Sequence, residues 1–250
     1  MREDWIGLVP AAGKGLRLNL PYPKELYPVI RNNHYKPVAQ FVIDQMVGVG
    51  IKHIVFVINE TKHQLIGYFG SGSRFGCSFS YVVQEDIENN QSSTSPGLGI
   101  ALDAAYHLTT GKTVFFGMPD TIIQPKNMYR QCMPYLAEYD LELCLFPTEF
   151  PNKFGMVRRN EEGKVLEIID KPQKTELKYM WGSIVWKARF TEYLHHKITS
   201  EKVYDFASII NQAIRDGLSV HSTIIEDGDY IDLGTYTEIL ELDKRLRDNE

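Results

Sequence analysis

The sequence predicts an α/β fold, a mixed and mostly parallel central sheet with helices on both faces. Three observations predict it. Apolar runs of strand length alternate with segments of helical spacing through residues 1–150. One run, HIVFVI at 53–58, is apolar throughout after its first residue, as strands buried on both faces are. The 250 residues are 43% hydrophobic and 24% charged, an ordinary globular balance that leaves no case for a disordered or fibrous chain.

The elements follow in order. Residues 6–10 read as the first strand, followed by a glycine-rich loop. Residues 38–49 have helical spacing. After the 53–58 strand, 61–69 read as a helix capped by Thr61 or Asn59. Strands at 78–83, 113–117 and 141–146 alternate with helices at 99–108 and 126–137, which implies βαβ units and a parallel sheet. The character then changes. Residues 156–160 and 164–169 suggest a hairpin around the Glu161-Glu162-Gly163 turn. Residues 181–186 are strand-like, 193–197 and 206–216 helical, 219–223 and 229–231 short strands, and 235–248 a closing amphipathic helix. The chain is read as one domain, 1–250, whose second half (151–250) lies over one end of the sheet built by the first (1–150). The polar stretch 85–97 is the longest loop, and a loop of that length is often functional.

Composition excludes several classes. The net charge of -5 argues against a broad basic face for nucleic acid. It leaves room for a polyphosphate, because a pocket needs only a few local cations and backbone N–H groups. Three cysteines (Cys77, Cys132 and Cys144) without CxxC spacing read as small side chains near the core in a reducing compartment. No run approaches the ~20 apolar residues of a membrane helix, and the charged N-terminus reads as the approach to the first strand rather than a secretory signal. The cytoplasm is the expected location.

The strongest signal is LVPAAGKGLRLNLPYPKELYPV, residues 8–29. Small residues at Ala11, Ala12, Gly13 and Gly15 let the backbone approach a ligand, and consecutive N–H groups in such a loop form an anion nest. Lys14, Arg17 and Lys24 add cations, the guanidinium able to grip two oxygens at once. The spacing is neither GxxxxGK[ST] nor GxGxxG, since Leu18 stands at the third glycine position of the latter. Taken together, Val9-Pro10-Ala11-Ala12-Gly13, Arg17 and Pro23-Lys24-Glu25 resemble the signature of the nucleoside-diphosphate-sugar pyrophosphorylases, the sugar-1-phosphate nucleotidylyltransferases. The likeness is nearest to bacterial UTP–glucose-1-phosphate uridylyltransferases and next to glucose-1-phosphate thymidylyltransferases. Leu16, where that family usually has Thr, and the short spacing from Arg17 to Lys24 are departures.

The resemblance extends over nearly the whole chain and implies a Rossmann-like, three-layer (GT-A-like) nucleotidyltransferase fold. By it, residues 1–150 form a nucleotide-binding half and 151–250 a sugar-phosphate-binding half. Gln84, followed by Gly97-Leu98-Gly99-Ile100-Ala101, stands where the family reads the base. A side-chain amide offers a pyrimidine edge a donor and an acceptor together. Phe116-Gly117-Met118-Pro119-Asp120 places a carboxylate at a strand end, and Asp120 matches the family's metal ligand. Mg²⁺ takes hard oxygens from one or two carboxylates with phosphates and water. Phe154-Gly155, Asp170-Lys171-Pro172 and Trp181-Gly182 match the family's sugar-phosphate elements. They imply that Gly155, Asp170 and Gly182 meet the sugar and Lys171 its phosphate. Tyr230-Ile231-Asp232-Leu233-Gly234-Thr235 resembles its W-x-D-T-G-T, with Asp232 the second metal carboxylate. Arg17, Lys24, Asp120 and Lys171 carry the implied catalysis, and Ala11 to Gly15 with Gln84 and Gly97 the nucleotide.

The resemblance implies Mg²⁺ as cofactor, a nucleoside triphosphate (UTP or dTTP favoured) and a sugar 1-phosphate as substrates, and a homo-oligomer. The sequence leaves no room for the appended β-helix domain that some relatives carry. Alternatives are a cytidylyl- or guanylyltransferase using an unusual sugar or alcohol phosphate, and a non-catalytic nucleotide-sugar sensor. A glycosyltransferase of similar fold would want an Asp-x-Asp, which Pro119-Asp120-Thr121 does not supply. His195 and His196 show no partner at metal spacing. Asp103, Asp140 and the charges of 241–247 read as solvated helix faces.

Overall fold

The computed structural model describes residues 4–15, 17–31, 34–85 and 97–248. In chain order its elements are β1 (Trp5–Pro10), β2 (Pro28–Arg31), β3 (His34–Pro37), α1 (Ala39–Gly48), β4 (His53–Ile58), α2 (His63–Phe69), β5 (Ser78–Val83), α3 (Leu98–Asp103), α4 (Tyr106–Thr109), β6 (Thr113–Gly117), β7 (Thr121–Gln124), α5 (Met128–Cys132), β8 (Leu141–Pro147), β9 (Gly155–Arg159), β10 (Val165–Asp170), β11 (Tyr179–Trp186), α6 (Ala188–Thr199), α7 (Phe206–Arg215), β12 (Val220–Ile224), β13 (Asp229–Asp232) and α8 (Tyr236–Asp248).

The central sheet runs β10-β9-β11-β6-β1-β4-β5, with β8 beside β11 and β12 beyond β8. Strands β6, β1, β4 and β5 are parallel, so their carboxyl ends share one edge. Strand β11 is antiparallel to both β6 and β8, which makes the sheet mixed. Helices α3, α6 and α7 bury Leu102, Phe190, Phe206 and Ile210 on one face. Helices α1, α2 and α5 bury Val42, Met46, Phe69 and Tyr129 on the other. Strand β4 is buried along five of its six residues, which explains its unbroken apolar pattern.

Several elements differ from the expectation. The 99–108 helix is two short helices, α3 and α4. The 126–137 helix shrinks to α5 and a 3-10 turn at Met133–Tyr135, where Pro134 cannot donate a backbone N–H. Helix α6 starts earlier than 193, at Ala188. The β2–β3 hairpin and β7 were not anticipated. The hairpin pairs Pro28 with Pro37, and prolines at strand ends hide a strand from pattern reading. Strands β9, β10, β11 and β12 do not lie over one end of the sheet but extend it, because β11 pairs directly with β6.

Asp103 and Asp140 are not simply solvated. Asp103 pairs with His195 Nδ1 at 2.8 Å, and Asp140 accepts from Ser219 and Arg189. Both contacts join residues distant in sequence, which helix spacing cannot reveal. Cys132 and Cys144 are buried, Cys77 half-buried, and all are free thiols.

A smaller cluster matters for position. Leu18, Val29, Val38, Phe41, Ile122, Leu233, Ile239 and Leu242 pack together. It ties the loop after β1, the hairpin, the start of α1, β7 and the end of β13 to α8. The Tyr236 hydroxyl on α8 donates to the Leu18 carbonyl. Ile239→Ala should cost about 2–3 kcal/mol in urea unfolding, the usual range for emptying a buried aliphatic site with partial relaxation. Leu240→Ala on the same helix, at a position 68% exposed, should cost far less.

Candidate active site

The loop after β1 is seated from β4. Ala11 N–H donates to the Val57 carbonyl at 2.6 Å. The Asn59 amide donates to the Ala12 carbonyl at 2.9 Å, while its oxygen accepts from Thr61 N–H at 3.0 Å. Gly15 has φ +65, a backbone state that favours glycine, and its carbonyl accepts from Leu18 and Asn19 N–H. Gly13 faces open space, Ala12 is half-buried, and Lys14 and Arg17 are exposed. The loop is thus anchored at its base and open at its tip.

Asp120 leaves the end of β6 as the chain turns into β7. Strand β13 pairs antiparallel with β7, setting Asp232 opposite Thr121. Leu233 N–H donates to the Asp120 carbonyl at 2.9 Å, closing that register. Two carboxylates far apart in sequence therefore become neighbours. Lys24, on a 3-10 turn at Lys24–Leu26, places Nζ on Asp120 Oδ2. Burial opposes the charge of Lys24, but Asp120, with Glu25 and Asp232, outweighs it and raises the ammonium's pKa. Burial, then the charges of Asp120 and Glu238, push Asp232 up to about 7, against the pull of Lys24 and Arg17. Arg17, though exposed, thus bears electrostatically on this pair. Glu238 on α8 is held by Lys153 Nζ at 2.8 Å and by Gly234 N–H at 3.0 Å.

A cavity of about 180 Å³ opens beside Lys24 and Asp120. The loop contributes Ala12 and Gly13 to its wall, Gln84 joins them from the position directly after β5, and Gly97, Leu98 and Met118 also line it. Gln84 is placed by its own N–H, which donates to the Ile58 carbonyl at 2.8 Å. Its side-chain oxygen is buried and has no partner among the described residues. Gly97 sits at φ +77, where a Cβ would come 3.2 Å from the Tyr204 carbonyl. The 85–97 loop, save Glu85 and Gly97, and Leu16 lie outside the described residues.

Glu25 also lines the cavity, and the motif reading passed over it. It is 1% exposed, with Lys62 Nζ 2.5 Å from its Oε1 and its Oε2 unpartnered among the described residues. Burial pushes the Glu25 carboxyl above the usual range, against Lys62. No spacing rule signals this pair; the only hint is a Glu beside the expected Lys24.

The remaining residues gather around β9, β10 and β11. Asp170 pairs with Gly155 across the hairpin. Lys171 N–H donates to the Phe154 carbonyl at 3.0 Å, and its ammonium lies 3.1 Å from Asp170 Oδ2 on an exposed surface. A Cβ at Gly155 would collide with the Trp181 indole nitrogen, and one at Gly182 would come 2.7 Å from Phe146 and Tyr230. Tyr230 packs against Phe146 and Phe154 two residues before Asp232, linking this group to the carboxylates. Lys24, Asp120, Gln84, Gly97, Ala12 and Gly13 thus meet around one cavity. Ala11, Lys14, Gly15, Arg17, Gly155, Asp170, Lys171 and Gly182 do not line it.

The carboxylates suit a divalent cation. Asp120 Oδ1 is buried and unpartnered among the described residues, and Asp232 stands beside it with its carboxyl raised by burial and then by that charge. Among the described residues no group of three or more His, Cys, Asp or Glu could hold a metal. Two hard carboxylates without a full protein cage match the way Mg²⁺ is shared between protein and phosphates.

The profile of the nucleotidyl transferase family matches residues 6–249. The chain belongs to that family. It is 26% identical, over 95% of its length, to a glucose-1-phosphate thymidylyltransferase of Streptomyces griseus and covers 64% of that protein. It is 23% identical to the low-salt glycan biosynthesis nucleotidyltransferase Agl11 of Haloferax volcanii, covering 98% of the chain and 66% of the relative. The chain therefore spans about two thirds of the length of these curated relatives. A Bacillus anthracis protein described as a glucose-1-phosphate thymidylyltransferase, solved with a sucrose, superposes with a TM-score of 0.81 at 20% identity, covering 98% of this chain and 96% of that one. The UTP-bound UGPase of Acinetobacter baumannii gives 0.72 at 18%, covering 95% and 91%. Both share the nucleotidyltransferase fold. Among the described residues no helix is long and apolar enough to cross a membrane.

The raised carboxyl of Asp232 gives a pH prediction for the nucleotidyl transferase stripped of metal by EDTA. A folded-state carboxyl held near 7 against an ordinary value of 3.8 binds its proton better folded than unfolded. Its contribution to stability is full below that ordinary value and is lost as pH rises through about 7. The melting temperature in EDTA should fall across that window, and Asp120→Asn, by removing the neighbouring charge, should flatten the fall.

Proposed function

We propose that this chain transfers a nucleotidyl group from a nucleoside triphosphate, UTP or dTTP favoured, to a sugar 1-phosphate and releases pyrophosphate. The observation that carries the reading is the meeting of Lys24 and Asp120, with Asp232 held beside them by the β7–β13 ladder, at a cavity that Gln84 also lines. The names of the curated relatives agree with it.

The acceptor oxygen is already anionic near neutral pH, so no general base is required. It attacks the α-phosphorus, a P–O bond forms, and the bond to the bridging oxygen breaks, leaving pyrophosphate. Such transfer depends on positioning and charge neutralisation. Asp120 and Asp232 would hold Mg²⁺, which neutralises phosphate charge when bound. Lys24 stabilises charge at the α-phosphate, and Arg17 with the loop Ala11 to Gly15 and Lys14 draws charge onto the departing pyrophosphate. Gln84 pairs with the base, with Gly97 beside it. Gly155, Asp170 and Gly182 face the sugar, and Lys171 holds its phosphate in line. The reading places the reaction in the cytoplasm, in a single domain that assembles as a homo-oligomer and does not bind nucleic acid.

The test is pyrophosphate release across UTP, dTTP, CTP, GTP and ATP against several sugar 1-phosphates, with Mg²⁺ and with EDTA. Release should require both substrates and the metal, and the best pair names base and sugar. Lys24→Met and Asp120→Ala should each lower the rate by about 10²–10³, the usual cost of one lost electrostatic donor. Tight triphosphate binding without release in any combination would instead favour a sensor.

A further inference from the structure

The buried Glu25–Lys62 pair has no part in the chemistry above, yet Glu25 belongs to the wall of the cavity. Glu25 is 1% and Lys62 4% exposed. Lys62 Nζ sits 2.5 Å from Glu25 Oε1. Glu25 lines the cavity, and its Oε2 is buried without a partner among the described residues. Replacing a buried ion pair with apolar groups of similar volume is often neutral or stabilising, so stability alone is a weak reason for one here.

The delivery of Lys62 is also specific. It ends a 3-10 turn, Glu60–Lys62, directly after β4. Asn59 caps that turn and donates its amide to the Ala12 carbonyl of the glycine-rich loop. Lys62 N–H closes the turn onto the Asn59 carbonyl at 3.1 Å. One short turn therefore fixes both the loop expected to carry the phosphates and a carboxylate that lines the same cavity as that loop and Gln84.

We propose that Lys62 is a positioning residue for the nucleoside triphosphate: by holding Oε1 of Glu25, it keeps Oε2 ionised and turned into the cavity to accept a hydrogen bond from an N–H or O–H of the nucleoside. This rests on the nucleotide-binding reading of the cavity. A carboxylate there accepts only from donors, so it favours the nucleoside over the anionic phosphates and helps seat the chain of phosphates toward Lys24. Without Lys62, burial drives Glu25 toward its neutral form, and the charge-assisted acceptor becomes a weaker, neutral one.

The experiment compares Lys62→Met, Lys62→Arg and the double variant Glu25→Met/Lys62→Met with the unaltered chain. UTP is titrated calorimetrically in Mg²⁺, and melting temperature and KM for each substrate are measured. Losing a hydrogen bond to a charged group should weaken UTP binding by about 10- to 100-fold in Lys62→Met. The KM for the sugar phosphate should stay within about threefold, the pattern of lost binding to one substrate only. Lys62→Arg should recover most of the affinity. The double variant should regain the melting temperature lost in Lys62→Met and still bind UTP weakly. Unchanged UTP affinity in Lys62→Met, or affinity restored in the double variant, overturns the proposal and makes the pair structural. Failure of the unaltered chain to bind UTP overturns both readings. UTP binding without pyrophosphate release overturns only the transfer reading, and the calorimetric contrast still decides Lys62.

Discussion

Two carboxylates held side by side in a partly buried corner repel each other unless a cation lies between them, and much of this structure can be understood as a way of arranging that corner. Asp120 comes from the end of β6 and Asp232 from the end of β13. The β7–β13 ladder and the Leu233-to-Asp120 backbone bond fix their separation. In the protein alone, Lys24 supplies the cation. Burial, and then the charge of Asp120, raises the carboxyl of Asp232 against the pull of Lys24, so one ammonium does not offset both. A divalent ion with phosphate oxygens is the chemistry that completes it.

Around that corner the sheet does the positioning. Parallel strands β6, β1, β4 and β5 end on one edge, so the turns that follow them converge there. The antiparallel side, joined through β11, carries Gly155, Asp170 and Gly182 to the same region. The bulge in β11 between Trp181 and Ser183 lies at this place. It leaves a buried indole N–H unpartnered among the described residues above Gly155, where any side chain would collide. Bulges often re-aim a side chain next to a functional site. The last helix completes the frame by seating both the loop after β1 and the end of β13 in one apolar cluster.

How much of this was visible in the sequence depends on how local each signal is. Strand β4 was read to the residue because burial on both faces leaves an unbroken apolar run. Asp120 and Asp232 were singled out because each stands near the end of a short strand in a recognisable motif. Strand β7 and the β2–β3 hairpin were missed because four-residue strands, two of them with a proline at one end, carry little periodicity. The register that joins β7 to β13 is a long-range choice that no window of sequence displays. Glu25 was passed over for a similar reason. The motif includes it without a role, and only the approach of Lys62 from the turn after β4 shows it to be buried and paired. The resemblance to sugar nucleotidylyltransferases supplied the grouping of residues across the chain, and the fold supplies the reason for that grouping.

The account stands on Asp120 and Asp232 forming one cation site together. Anomalous X-ray scattering from crystals grown with Mn²⁺ and UTP tests it directly. The account predicts one Mn²⁺ bonded to oxygens of both Asp120 and Asp232 and to the triphosphate, with Lys24 displaced from Asp120 toward the α-phosphate. A Mn²⁺ bound by the triphosphate and neither aspartate, with Lys24 still on Asp120, would contradict it.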